Sequence, residues 1–145
     1  MKKRVLFVCV HNGARSQMAE AFLNRMCGDV FEAESAGLEP GSLNPLAVEA
    51  MREIGIDIGG KKTRGVSEVI ESGQRFDYVI TVCDESSAEQ CPIFPGVAER
   101  LHWNFPDPAK FTGMWEERLE QTRKVRDAIE SKIERFCPSG CRAVA

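Results

Sequence analysis

The sequence predicts an α/β domain, a three-layer sandwich with a mostly parallel sheet. Three observations carry that expectation: short unbroken apolar runs suited to strands buried on both faces, amphipathic stretches at helical spacing, and the alternation of the two along the chain. Arg4-Val5-Leu6-Phe7-Val8 is the first such run, followed by a polar, glycine-containing loop over Cys9 to Arg15. From Ser16 the pattern turns helical, with Met18, Ala19, Phe22, Leu23 and Met26 on one face and Gly28 as a stop. Phe31 to Ala36 reads as a second strand. Asn44-Pro45 supplies an N-cap and a proline at the first helical position, and Leu46, Ala47, Ala50, Met51 and Ile54 continue that helix to Gly55. Lys61 to Ser72 is polar and carries a short helix, Tyr78 to Val82 is a buried strand ending at Cys83, and Arg100 to Asn104 is a fourth strand. A last helix spans Met114 to Phe136, with Trp115, Leu119, Val125, Ile129 and Ile133 at helical spacing.

At 145 residues, with 43% hydrophobic and 28% charged side chains, the chain suits one domain with one sizeable core and is unlike disordered or collagen-like sequences. Residues 1–145 are therefore read as a single domain, with 137–145 as a mobile tail. A net charge of −3 with interleaved acids and bases provides no basic face for nucleic acid. No apolar run has the length of a membrane span, and the run after Met1-Lys2-Lys3-Arg4 is too short for a signal-peptide core. The expectation is a cytoplasmic monomer with no nucleic-acid or membrane partner, whose six cysteines serve thiol chemistry better than structural stapling.

Cys9-Val10-His11-Asn12-Gly13-Ala14-Arg15-Ser16 has the form C-x5-R-S between a strand and a helix. A loop wrapped around a helix N-terminus points backbone N–H groups inward, a nest for a tetrahedral oxyanion that the helix dipole also favours. Val10, His11, Asn12, Gly13 and Ala14 would supply those amides. Arg15 adds a planar fork for two oxygens, which lysine does not reproduce. Asn12 and Gly13 tolerate the left-handed backbone such loops use. Cys9 is placed as a nucleophile facing the oxyanion, and the Ser16 hydroxyl is positioned to donate to it. A cysteine at a strand end is also an ordinary small core residue, and C-x5-R alone is a common string; strand, helix and the Ser after the Arg together give the motif its weight.

The stretch Val8 to Glu20, with Ser35-Ala36-Gly37 and Trp103-Asn104-Phe105-Pro106-Asp107-Pro108, resembles the arsenate reductases built on the low-molecular-weight tyrosine phosphatase fold. The resemblance covers nearly the whole chain and implies a four-stranded parallel sheet, an anion loop after the first strand, and Asp107 as general acid. Both the reductases and the phosphatases of this fold need Cys9, Arg15 and Asp107. Three features favour reduction. Gln17 follows Ser16 where the phosphatases usually continue with proline. Ala109-Lys110-Phe111 follows Asp107-Pro108, without the tyrosines that line the phosphatase cleft. Cys83 and Cys91 follow the third strand, and two thiols becoming a disulfide supply the two electrons that arsenate reduction needs.

The resemblance further implies a relay: Cys9 attacks arsenate, Asp107 protonates the departing oxygen, Cys83 attacks Cys9 to release arsenite, and Cys91 takes over the disulfide. Thioredoxin, or glutaredoxin, then resets the pair, with no tightly bound cofactor. Phosphate and sulfate are the expected competing oxyanions, and a phosphatase acting on phosphomonoesters is the alternative function. In thioredoxin-coupled relatives an acid within the segment matching Lys61 to Val66 helps hold a potassium ion with residues matching Asn12, Glu20 and Ser35. Here that segment is basic, so no metal is expected. Glu20 and Ser35 are instead expected to brace the anion loop through Asn12.

The remaining cysteines read more simply. Cys27 is a packed apolar residue near a helix end. Cys137 and Cys141 form a C-x3-C pair that suits either a redox site or two thiols of a frayed tail, and neither His11 nor His102 has ligand spacing to it. His11 is a positioning or solvent-facing residue, and Trp103 and Trp115 belong to core or rim. Asp84 to Gln90 is expected to form a short helix between Cys83 and Cys91.

Overall fold

A computed structural model describes residues 2–83 and 99–138. Four parallel strands, β1 (Lys3–Cys9), β2 (Phe31–Gly37), β3 (Tyr78–Thr81) and β4 (Glu99–His102), lie in the order β2-β1-β3-β4. The helices are α1 (Arg15–Cys27), α2 (Pro45–Arg52), α3 (Val66–Glu71) and α4 (Trp115–Phe136), with a 3-10 turn over Pro108–Lys110. The α/β sandwich and its four-stranded parallel sheet are as the sequence predicts.

β1 is central, and its alternating side chains feed two cores. Val5, Phe7 and Cys9 join the larger cluster with Met18, Phe22 and Leu23 of α1, Ala47 and Met51 of α2, and Val125, Ile129 and Ile133 of α4. Leu6 and Val8 face the other way, onto Val66 and Val69 of α3 with Ala36, Phe76 and Val79. A strand covered on both faces has no polar side to show, which is why its sequence is an apolar run.

Element ends differ from expectation by a few residues, for local reasons. α2 begins as predicted, the Asn44 side-chain oxygen accepting from Leu46 N at 2.9 Å, but closes at Arg52. Ile54 N then bonds Met51 O and Gly55 turns out at φ +81°. Within 61–72 only Val66–Glu71 is helical; the preceding residues form an extended strap whose Arg64 carbonyl accepts from Gly37 N at 2.9 Å. β3 and β4 each yield one more ladder bond beyond their ends, Val82 N to Val8 O and Trp103 N to Thr81 O, both 2.8 Å.

Two sequence readings are corrected. Cys27 is not merely a packed apolar side chain: it is disulfide-bonded to Cys137, joining the C-terminal ends of α1 and α4. Cys137 is likewise neither a frayed-tail thiol nor the partner of Cys141, because its sulfur is bonded to Cys27 and the residue is buried at the end of α4. Beside it Phe136 packs on Phe31, Tyr78 and Trp103, with ring centroids 5.1–5.4 Å apart. The proposed helix over 84–90, Cys91 and Cys141 lie outside the described residues. Among the described residues no helix is long and apolar enough to cross a membrane.

Candidate active site

β1 delivers Cys9 to the carboxyl edge of the sheet, the edge where open parallel sheets place their ligands. Past it the chain loops over residues 10–14 and enters α1 at Arg15. The carbonyls of this loop are tied to one neighbouring segment: Leu38 N donates to Cys9 O, Glu39 N to Val10 O, Gly41 N to His11 O and Asn44 N to Gly13 O, at 2.8–3.0 Å. Peptide planarity sets each carbonyl opposite the following N–H. The amides of Val10, His11, Asn12 and Ala14 are thereby turned to the opposite side of the loop. Beside the loop a pocket of about 150 Å³ is lined by Cys9, His11, Gly13, Ala14, Arg15 and Asp107 together with Gly41, Ser42 and Asn44 of the neighbouring segment, whereas Val10 and Asn12, expected from the sequence to face the anion, do not line it.

The helix end adds to this field. No side chain caps the N-terminus of α1 and no acid stands in its first turn, so its leading amides and positive dipole end face the loop. Such an arrangement suits a tetrahedral anion.

Asn12 alone in the loop takes the left-handed backbone, at φ +57°. Gly13, expected to share that conformation, is required for another reason: a Cβ there would meet Ser42 O at 2.6 Å. Gly37 is similarly placed, since its Cβ would sit 2.8 Å from Asn12 N and Val10 O. Both glycines let two backbones approach.

Cys9 and Ser16 are buried, with Sγ and Oγ 2.9 Å apart. Asn12 Nδ2 donates to Ser16 Oγ at 2.8 Å, which leaves the serine hydrogen for the sulfur. Asn12 Oδ1 accepts from Arg64 N at 3.0 Å and Gln17 Nε2 at 3.2 Å. Cys9 therefore lies at one end of a side-chain chain that runs through Ser16 and Asn12 to the 61–64 strap. Glu20 and Ser35 contact each other rather than Asn12: Ser35 Oγ donates to Glu20 Oε1 at 2.8 Å, and Lys61 Nζ pairs with Glu20 Oε2.

Arg15 is buried, with Nη1 donating to Phe105 O at 3.2 Å and Nη2 3.4 Å from Asp107 Oδ2. Asp107 Oδ1 accepts from Ala109 N at 2.9 Å, fixing the carboxyl at the start of the 3-10 turn. His11 is exposed, and its Nδ1 donates to Glu39 O at 2.9 Å. Cys83 is buried just past β3, next to β1 in the sheet, so it leaves the same edge as Cys9. Trp103 is in the core and Trp115 on the rim. Among the described residues no three His, Cys, Asp or Glu side chains are grouped as metal ligands.

Gly37, the 38–43 segment, Lys61 and Arg64 were not among the site residues expected from the sequence. Their partners lie tens of residues away along the chain, beyond any local pattern.

The family model for low molecular weight phosphotyrosine protein phosphatase matches residues 4–143. The chain belongs to this phosphatase family. Within it, an arsenate reductase of Halalkalibacterium halodurans is 42% identical over 139 residues, covering 96% of this chain and 98% of that protein. The crystal structure of an arsenate reductase from Archaeoglobus fulgidus superposes with a TM-score of 0.73 at 34% identity, over 91% of this chain and 97% of that one. A thioredoxin-dependent arsenate reductase of Corynebacterium glutamicum matches with a TM-score of 0.60 at 30% identity, over 94% of this chain and 64% of that one. The resemblance read from Val8 to Glu20, Ser35 to Gly37 and Trp103 to Pro108 is thus borne out, and it falls on the reductase side of the phosphatase family.

Proposed function

We propose that this chain reduces arsenate to arsenite, with Cys9 as the nucleophile and thioredoxin as the external reductant. The observation that carries the reading is the emergence of two buried cysteines, Cys9 and Cys83, from neighbouring strands at one sheet edge, the first within an oxyanion loop. A phosphatase discharges its intermediate with water and has no use for the second thiol.

In the proposed reaction the loop amides and Arg15 bind arsenate. The Cys9 thiolate forms a sulfur–arsenic bond as one arsenate oxygen leaves as water, its proton supplied by Asp107. Cys83 then attacks the Cys9 sulfur. The sulfur–arsenic bonding pair stays on arsenic, which falls from the pentavalent to the trivalent state and departs as arsenite, and the two thiols become a disulfide. Cys91 attacks Cys83, forms the Cys83–Cys91 disulfide and frees Cys9. A dithiol protein such as thioredoxin reduces that last bond. The relatives named as arsenate reductases, one of them thioredoxin-dependent, support this assignment.

The test is a thioredoxin-coupled arsenate assay beside p-nitrophenyl phosphate hydrolysis on one preparation. Arsenate-dependent oxidation of thioredoxin that greatly exceeds phosphatase turnover is expected. Efficient phosphate ester hydrolysis without arsenate reduction would replace this reading with the phosphatase.

A further inference from the structure

Outside the lining of the pocket at the anion loop, Glu20 is buried with 6% of its surface exposed. A carboxylate so placed is costly unless both oxygens are satisfied. Ser35 Oγ satisfies Oε1 and the Lys61 ammonium satisfies Oε2. Lys61 begins the strap that supports the loop. Its neighbour Lys62 accepts from Gln17 Nε2 through its carbonyl at 3.3 Å, Arg64 N donates to Asn12 Oδ1, and Arg64 Nε donates to Ser35 O at 3.1 Å.

We propose that Lys61 is a positioning residue for oxyanion binding, a tethered cation that neutralises buried Glu20 and thereby holds the 61–64 strap against Asn12. Asn12 is the loop's one left-handed residue and the donor to Ser16, so a strap that shifts releases both the loop's turn and the hydrogen bond to Cys9. Lys61 touches neither substrate nor sulfur and acts only through Glu20 and the strap. A cavity of about 400 Å³ opens at this point, lined by Glu20, Asn24, Ser35, Gly60, Lys61 and Arg64 among others. If the ammonium were removed, small cations would therefore have access from solvent to the carboxylate it leaves behind.

The inference rests on the reading of the Cys9 loop as an oxyanion site, and inorganic phosphate probes both without any turnover. Phosphate affinity is measured by calorimetry on the full-length reduced protein. Wild type that binds no phosphate would refute both readings. With wild type binding, Lys61→Met is expected to weaken phosphate by about tenfold. Potassium or ammonium chloride should restore the affinity, whereas choline chloride at equal ionic strength should not. Lys61→Arg should stay close to wild type. The double variant Glu20→Gln with Lys61→Met should bind as Glu20→Gln alone does and ignore added cations. That last comparison decides the matter if Lys61→Met does not fold. Wild-type affinity in Lys61→Met, a loss that small cations do not repair, or a double variant weaker than Glu20→Gln would each overturn the inference.

Discussion

Arg15 and Asp107 form an ion pair across the mouth of the anion loop, with Nη2 3.4 Å from Oδ2. The two residues are 92 positions apart, and each has a second anchor: Arg15 on the Phe105 carbonyl and Asp107 on the Ala109 amide. The guanidinium is thus held at the pocket with its donors in a fixed plane. Arg15→Lys keeps the charge and loses that plane. We expect kcat/KM for arsenate to fall on the order of 10²-fold or more, the usual cost of removing an aligned donor from a developing oxyanion. Steady-state kinetics against arsenate checks this, and an unchanged value would remove Arg15 from substrate binding.

Asp107 is proposed to protonate the oxygen that leaves arsenic. Asp107→Asn retains a side-chain oxygen for the Ala109 amide but cannot act as an acid at neutral pH. The first arsenate step should slow on the order of 10²-fold, while thioredoxin reduction of a preformed disulfide proceeds as in wild type. Rapid-quench measurement of arsenite release separates the two. Equal loss in both would show that the asparagine disturbs the fold around the pocket rather than a proton transfer.

Much of this site was legible in the sequence, because its main parts are contiguous. Cys9, Asn12, Arg15 and Ser16 fall within eight residues, and a strand before them and a helix after them fix the direction of the loop. The apolar runs of β1 and β3 were equally clear, since both faces of those strands are covered. What could not be read locally were the supports. The carbonyls of the loop are held by amides at 38–44, Asn12 by Arg64, and the end of α1 by Cys137, all contacts between distant parts of the chain. Cys27 illustrates the difficulty: apolar neighbours at helical spacing describe a packed cysteine and a disulfide-bonded one equally well.

The proposed relay fixes a stoichiometry. If Cys91 completes the cycle, Cys91→Ser should release about one arsenite per chain and stall with Cys9 joined to Cys83. Mass spectrometry of non-reduced peptides would identify that bond. Continuous turnover with thioredoxin would make Cys91 dispensable and end the relay in this form.

The Cys27–Cys137 bond links residues separated by 110 positions, yet both lie away from the sheet edge that carries Cys9 and Cys83. Closing a loop of that length restricts the unfolded chain by about 4–5 kcal/mol in the chain-entropy account. Cys137→Ser should therefore lower Tm on the order of 10 °C under non-reducing conditions, with arsenate turnover at 25 °C largely kept. In excess dithiothreitol the two proteins should melt together. A difference that persists there would mean that the sulfur contributes by packing rather than by cross-linking.

A last expectation concerns acid stability and the seam between α2 and α4. Glu53, just past the end of α2, accepts from Arg123 Nε at 2.9 Å and Nη2 at 2.6 Å, and from Arg126 Nη1 at 2.9 Å. Arg126 Nη1 also donates to the Ala50 carbonyl at 2.8 Å, so one carboxylate and two arginines fasten the two helices. The Arg123 hydrogen bonds, with those from Arg126, hold the Glu53 carboxyl below its ordinary value, and burial opposes them only in part. A carboxyl whose pKa is lower folded than unfolded binds its proton more readily in the unfolded chain. Its contribution to stability is therefore complete above the ordinary glutamate range and is lost as pH falls through the depressed folded value. Glu53→Gln should be less stable than wild type near neutral pH, and the gap should close on acidification. Urea unfolding of both proteins from pH 7 down to about pH 3 follows the gap through that range. A gap that is constant with pH would place the contribution of Glu53 in packing, because the charge would then carry none of it.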